Sequence, residues 1–299
     1  MTEAVAHPHA DTDWRAVGVL VLGACIIGLS PILVRLAGEQ PGGVGSAAAG
    51  FWRLAFALPL LALLTRRVSG AIGRPPKVAV WAGVFFALDL GFWHYGIHFT
   101  SVTNATVLSN LTPVVVTAFA WIFLKQRPQA LFLVAVAAAV GGAWLMAVEK
   151  GGGGLVNQPL GDVLSALTAL WYALYFLTMN EGRKTNGASR LMFWAGVVGA
   201  PLMLVSALLL GETLIPSSPL AWAACLGLGL MHVGGQGSIA WAMGRLPIAT
   251  ASVVVLVQPV VAASLGYALF GEPIGPLQAL GAAVTLGGVI LAQWSSRRR

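Results

Sequence analysis

Ten apolar blocks follow one another through this chain, at about 15–37, 44–64, 77–98, 103–124, 128–147, 159–180, 188–210, 219–243, 247–270 and 274–294, with only short polar connections between them. A helix needs roughly 20 apolar residues to cross the ~30 Å hydrocarbon core of a bilayer, so each block is long enough to span. The remaining composition agrees: 58% of the 299 residues are hydrophobic and 9% charged, with mean hydropathy +0.83. A soluble protein carries roughly 25% charged residues to cover its surface. The expectation is therefore an all-α polytopic membrane protein of ten transmembrane helices. A soluble enzyme, a nucleic-acid binder and a disulfide-stapled secreted domain are excluded. Cys25 and Cys225 both fall inside spans, without Cys or His neighbours at metal-ligand spacing, and read as small buried side chains. The polar stretch from Met1 to Asp13 reads as a tail ahead of an uncleaved first span.

Charge distribution sets the orientation. With the N-terminus in the cytoplasm, fourteen of the seventeen Lys and Arg residues fall on the inner side and only Lys150 on the outer, while Arg35 and Arg53 lie within spans. Positively charged loops stay inside, so both termini are expected in the cytoplasm of a multi-pass inner-membrane protein. The net charge of +7 thus belongs to membrane topology rather than to nucleic-acid binding.

The chain also repeats itself. Shifted by 146 residues, 105–146 lies over 251–292 without a gap, with ten of 42 pairs identical. Pro113 meets Pro259 inside matching Pro-Val-Val triplets, and Gly141-Gly142 meets Gly287-Gly288. Phe51-Trp52 and Pro59-Leu60 match Phe193-Trp194 and Pro201-Leu202 at a shift of 142, whereas the first and sixth spans align weakly. Five spans per repeat is an odd number, so the second copy enters the membrane upside down, as in secondary transporters with a site near the midplane. The organisation expected is a tail (1–14), a first five-helix repeat (15–147), an external linker (148–158), a second repeat (159–294) and a basic tail (295–299).

With those features in place the chain resembles the drug/metabolite transporter superfamily, in its EamA-like ten-helix branch. The residues carrying the likeness are Phe-Trp-Arg-Leu-Ala-Phe-Ala at 51–57, Leu-Ser-Asn-Leu-Thr-Pro-Val at 108–114, Leu-Val-Gln-Pro-Val at 256–260, and Phe-Gly-Glu at 270–272 before a glycine-rich last helix. Lys125-Gln126 stands in the first repeat where the second has Gly271-Glu272, the usual family form. The resemblance implies export of small metabolites, and the YddG-type exporters of this branch move amino acids.

Polar groups inside the spans are the candidates for a pathway. Asp89 sits mid-span in the third block, and a carboxylate there costs roughly 2.5–3.5 kcal/mol on insertion scales, so it needs a cavity or a partner. It reads as a proton carrier, as an anchor for a substrate ammonium, or as half of an ion pair with Arg53 in the second span. In the sixth span Thr168, Trp171, Tyr175 and Thr178 form a stripe, with Tyr172 beside it. These aromatic residues lie away from the interfaces that Trp and Tyr favour, and read as a cavity wall or as a helix contact. His232, Gln236, Asn110, Gln258, Ser30 and Trp93 complete the expected substrate-binding set. Pro31, Pro113 and Pro259 interrupt spans and release the carbonyls of Ile27, Ser109 and Val255, which marks them as hinges. His94 and His98 share a helical face, without an evident third metal ligand.

The glycine runs lack a following Gly-Lys-Ser/Thr and a strand–turn–helix setting, so no nucleotide or other cofactor is expected. Partners reduce to a small-molecule substrate and the lipid bilayer; no nucleic acid or obligatory protein partner is called for, and a monomer holds both halves. An integral-membrane enzyme acting on lipids or peptides is the alternative. It lacks clustered carboxylates, and Ser238 and His232 share one helix, the wrong geometry for a nucleophile and its base. A channel is disfavoured because no filter-like loop or charged ring is present.

Overall fold

The computed structural model describes residues 13–38, 41–99, 108–123, 125, 127–148, 158–271 and 273–296. The linker expected at 148–158 and both tails fall almost wholly outside these residues, as do the side chains of His94 and His98. Among the described residues the fold is helices joined by turns. Inside hydrocarbon a helix satisfies its own backbone hydrogen bonds, so apolar blocks of this length adopt no other form.

The first repeat contains α1 (Trp14–Ile27), α2 (Ser30–Gly38), α3 (Ser46–Ser69), α4 (Lys77–Phe99), α5 (Thr112–Ile122) and α6 (Ala130–Val148). The second contains α7 (Gln158–Arg183), α8 (Ala188–Leu209), α9 (Pro219–Met231), a π-helical turn (His232–Gln236), α10 (Gly237–Met243), α11 (Ile248–Val254), α12 (Val257–Phe270) and α13 (Pro276–Ser296). Among the described residues six segments are long and apolar enough to cross a membrane, α1–α2 and α11–α12 each counting as one, and α5 and most of α6 are shorter apolar helices. The 23-residue α4 and the continuous α9–π–α10 segment supply the remaining two of the ten blocks. Several helices outrun their apolar block. α3 continues through Arg66 and Arg67, and α7 ends on Arg183, because hydropathy marks the hydrocarbon and not the last helical hydrogen bond.

Local chemistry fixes the ends. Asp13 Oδ1 accepts from Ala16 N at 3.0 Å to start α1, and Ser218 Oγ accepts from Ala221 N at 3.1 Å to start α9, with Pro219 in the first turn. The start of α3 is capped from the other repeat: Glu212 accepts from Ala47 N (3.3 Å) and Ala48 N (2.9 Å). An anion there answers both the unpaired N–H groups and the helix dipole.

Three spans are broken, each just ahead of a proline: at Gly28–Leu29 before Pro31, at Asn110–Leu111 before Pro113, and at Val255–Leu256 before Pro259. Proline lacks an N–H and crowds the preceding turn. The released Ser109 carbonyl accepts from Thr112 Oγ1 (3.0 Å) and that of Val255 from Gln258 N (3.0 Å). Pro59 and Pro201, 142 positions apart, lie instead inside continuous helices.

The repeats pack as an antiparallel pair. Between α6 and α13 a Cβ built on Gly281 would lie 2.6 Å from the Gly142 carbonyl, and one on Gly288 would lie 2.8 Å from that of Ala135. Shifted by 146, Gly142 becomes Gly288 and Ala135 becomes Gly281, so the two contacts exchange under the repeat operation. That exchange is the signature of a two-fold relation. Between α3 and α8, Leu58 packs close against Gly196 and Leu54 against Gly199. Small residues allow this close approach of helices in a membrane.

Candidate substrate cavity

The three breaks and the π turn surround one cavity of about 480 Å³ between the two repeats. The first repeat lines it with Ser30, Pro31 and Arg35 of α2, Arg53 of α3, Phe86, Asp89 and Trp93 of α4, and Asn110, Thr112 and Pro113 at the α5 break. The second contributes Thr168 and Tyr172 of α7, Gln236 of the π turn, Ser252, Gln258 and Pro259 around the α12 break, and Gln278 of α13. Discontinuous helices meeting at mid-span are the usual way to expose backbone and amide groups to a substrate inside a membrane. A π turn inserts an extra residue into the helical ladder and re-aims the side chains in and beyond it; here it carries Gln236 to the cavity wall.

Arg53 anchors the floor. It is only 6% exposed, donates from Nε to His232 Nδ1 (3.4 Å) and from Nη1 to Ser30 Oγ (3.5 Å), and lies 5.3 Å from the centre of the Phe86 ring. Because Nδ1 accepts, the proton of a neutral His232 sits on Nε2. Asp89, also buried, lines the same cavity. The direct ion pair with Arg53 expected from the sequence is not formed: among the described residues no cation lies within 4.0 Å of Asp89, and no hydrogen bond holds it. Arg53 is instead committed to α2 and the π turn, and the carboxylate remains turned to the cavity.

Of the residues expected to bind substrate, Ser30, Trp93, Asn110, Tyr172, Gln236 and Gln258 line the cavity, as do the hinges Pro31, Pro113 and Pro259. Trp171, Tyr175 and His232 are not among the lining residues. Trp171 packs on α4, stacked on Phe85 (6.1 Å) and edge-on to Phe92 (5.9 Å), and its Nε1 is buried without a partner. Tyr175 is 2% exposed; its hydroxyl accepts from Gln236 Nε2 at 3.1 Å and its ring meets Phe86 at 4.9 Å. His232 sits behind Phe86 at 5.3 Å. These three support the wall from behind. The wall of α7 is thus the i, i+4 pair Thr168 and Tyr172, not the stripe through Trp171 and Tyr175.

Three polar lining side chains escaped the sequence reading. Arg35, near the end of α2, lies 4.5 Å from the Phe270 ring; a charge near a span end ordinarily reads as a side chain reaching for the interface. Gln278 and Ser252 had no pattern to distinguish them. Gln278 is nevertheless a buried amide near the start of a largely apolar helix, and that was the available signal.

The cavity extends from mid-span toward one end of the helices. From mid-span residues such as Gln236 and Thr168 its lining climbs to Arg35, Met146, Gly266 and Gln278, all toward the end away from the chain termini. On the terminal side Leu20, Phe176, Met179, Ile239 and Met243 are each 1% exposed or less and close the floor.

The geometry agrees with what known proteins show. The EamA-like transporter family matches residues 14–148 and again 159–294, the two halves found in the fold. An uncharacterized transporter of Archaeoglobus fulgidus is 26% identical over 275 residues, covering 91% of this chain and 94% of that protein. The pseudopaline exporter CntI of Pseudomonas aeruginosa is 24% identical over 200 residues, covering 62% of this chain and 64% of its own length. A solved crystal structure shares the fold with a TM-score of 0.78 at 17% identity, over 95% of this chain and 98% of its own. With both halves matched across nearly the whole length, the chain is a member of the EamA-like transporter family.

Proposed function

We propose that the protein is a secondary carrier of the inner membrane, with both termini cytoplasmic, exporting small zwitterionic metabolites, amino acids foremost, by alternating access. The carrying observation is that Asp89 and Arg53 line one cavity between inverted repeats without pairing to each other. A zwitterion fits such a site: its ammonium group takes the Asp89 carboxylate and its carboxylate takes a guanidinium, with Asn110, Gln236 and Gln258 left to orient the rest. Charge-assisted hydrogen bonds of this kind are about twice as strong as neutral ones. A volume of about 480 Å³ falls in the range of roughly 300–1,000 Å³ typical of small-molecule sites. Trp93 and Tyr172 offer flat apolar walls to a side chain. Transport draws on a gradient or on exchange. The relative named as a pseudopaline exporter supports the direction, and the charge asymmetry supports the orientation.

The test is counterflow in proteoliposomes with a panel of labelled amino acids and a nucleotide sugar. Uptake of one or more amino acids, competed by zwitterions and not by amines or carboxylic acids alone, is the expected result. Uptake confined to the nucleotide sugar sinks the zwitterion reading. A reporter fused at the C-terminus should be active only in its cytoplasmic form; an exported C-terminus contradicts the orientation.

A further inference from the structure

The two ends of the α3–α8 pair follow one plan, and one end lacks a part. Away from the chain termini, α3 starts after Gly45, and the loop leaving α8 turns at Gly211 (φ +65°) and brings Glu212 over that start. A Cβ built on Gly45 would lie 2.3 Å from Glu212 Oε2. Beside the termini the roles exchange. α8 starts after Gly187, the counterpart of Gly45 at the shift of 142, and the loop leaving α3 turns at Gly70 (φ +72°). The residue after that glycine is Ala71, and the loop to α4, Ser-Gly-Ala-Ile-Gly-Arg-Pro-Pro at 69–76, holds no acid. No side chain among the described residues caps α8. Outside its own helix, a Cβ on Gly187 meets only Ser69 Oγ, at 3.8 Å, so the room that Glu212 fills at the other end is open here.

Three buried donors at this junction have no acceptor. α3 and α8 run antiparallel, with Leu54 against Gly199, Leu58 against Gly196 and Ser69 nearest Gly187, which brings Thr65 beside the first turns of α8. Thr65 is fully buried and its hydroxyl is unbonded. Arg190, in the first turn of α8, gives Nη2 to Arg74 O at 3.0 Å, while its Nε is buried and unpaired. Trp194 is the counterpart of Trp52. The Nε1 of Trp52 donates to Leu214 O beside Glu212, whereas that of Trp194 is buried without a partner. Unpaired buried donors are costly. Glu181, the acid nearest in sequence, is taken by Lys184. Cations gather instead: Arg66 and Arg67 end α3, Arg74 lies in the loop and Lys77 begins α4.

We infer that the start of α8 binds the phosphate of an anionic phospholipid in the leaflet beside the chain termini, in the place that Glu212 takes at the other end. The backbone N–H groups of Ala188, Ser189 and Arg190 and the Arg190 guanidinium are its donors. A helix N-terminus holds phosphate through its unpaired N–H groups and its dipole, and arginine adds charge-assisted bonds of matching geometry. A lipid is the source because the junction lies where the helices leave the apolar core. Trp194 stands at the depth that indole favours near headgroups, and basic residues at a membrane surface attract anionic lipids. The site is outside the substrate cavity, so the inference holds whichever solute is carried.

The experiment takes the full-length carrier, purified in a neutral detergent and stripped of lipid. It is titrated with dioleoylphosphatidylglycerol, dioleoylphosphatidylcholine or sodium phosphate, with melting temperature and lipid retained in native mass spectrometry as readouts. Phosphatidylglycerol should raise the melting temperature and stay bound, and phosphatidylcholine should do neither. Ala71→Glu sets an acid after Gly70 as Glu212 follows Gly211. It should melt higher than wild type without lipid and bind phosphatidylglycerol about tenfold more weakly. Val68→Glu adds the same charge on an exposed face of α3 and should bind within about twofold of wild type, since exposed charges are screened. Arg190→Gln should weaken binding several-fold. Ala71→Glu binding like wild type, or losing no more than Val68→Glu, overturns the site. An equal response to phosphatidylcholine, or the same gain from sodium phosphate alone, overturns the anionic lipid as its occupant.

Discussion

Thr285 Oγ1 donates to the carbonyl oxygen of Ala139 at 3.4 Å, and the two residues stand 146 positions apart, the same interval that superimposes the second repeat on the first. A residue that touches its own counterpart lies on the symmetry axis. On either side, Gly142 meets Gly281 and Gly288 meets Ala135, so α6 and α13 are one helix used twice, crossing itself in opposite directions. The axis lies in the membrane plane, and the cavity is built across it.

That packing leads to a contrast within the double glycines. A Cβ on Gly142 or Gly288 collides with the facing backbone, but Gly141 and Gly287 have nothing within 4 Å of theirs. Gly288→Val should therefore destabilise the carrier by about 1–3 kcal/mol through overpacking. Gly141→Ala and Gly287→Ala should be neutral or slightly stabilising, since glycine in a helix costs roughly 0.5–1 kcal/mol relative to alanine. Thermal unfolding in one detergent decides: equal melting shifts for the two neighbours would mean that α6 and α13 do not meet as described.

Glu212 makes a separable case. Its carboxylate caps α3 from the loop after α8, and Trp52 Nε1 donates to Leu214 O at 2.7 Å in the same junction. Glu212→Ala should cost about 1 kcal/mol, the usual scale for losing a helix N-cap. Substrate affinity should not change, because Glu212 does not line the cavity. An affinity loss without a stability loss would place this loop in the pathway instead.

How much of the fold and the cavity was legible in the sequence depends on the physics each signal encodes. The spans were, because hydropathy reports directly on the hydrocarbon. The breaks were too, because proline at 31, 113 and 259 removes an N–H wherever it sits. The glycine run at 234–237 announced an irregularity in the eighth span without revealing that it is a π turn, which depends on how α1 packs against it through Gly23 and Gly235. The cavity was legible as a set of mid-span polar residues, but not which face of α7 turns inward. Tyr172 and Trp171 differ by one residue, about 100° around a helix, and only the packing of Trp171 on Phe85 and Phe92 settles it. Likewise two buried charges on neighbouring spans suggest a pair, whereas His232 and Ser30 had already engaged the guanidinium.

The aromatic residues of α7 should accordingly separate stability from binding. Trp171→Ala removes a stack between α7 and α4 and should cost about 3 kcal/mol, at the low end for deleting a packed aromatic ring. Tyr175→Phe keeps the ring against Phe86 but takes away the acceptor for Gln236 Nε2. It should leave melting within about 1 kcal/mol of wild type while weakening substrate binding several-fold, the worth of one ordinary hydrogen bond. Tyr175→Phe transporting with unaltered KM would show that Gln236 needs no anchor.

Asp89 and Arg53 should respond in opposite ways. Arg53→Gln abandons the hydrogen bonds to His232 and Ser30 and the face of Phe86, and should destabilise the carrier by roughly 1.5–3 kcal/mol, the range for hydrogen bonds to a charged group. Asp89→Asn breaks no hydrogen bond or close ion pair among the described residues; it gives up the attraction of the carboxylate to Arg53 across the cavity and removes an expensive buried charge. It should fold at least as well as wild type and lose transport, because the anchor for a substrate ammonium has gone. The double variant should depart from the sum of the two stability effects only by the attraction between the two charges across the cavity, and recover less than half of the Arg53→Gln loss. Melting of the four proteins closes the cycle, and counterflow with the best amino acid of the panel reads function. A double variant that recovers much of the Arg53→Gln loss would instead mean that the two charges pair directly in the membrane.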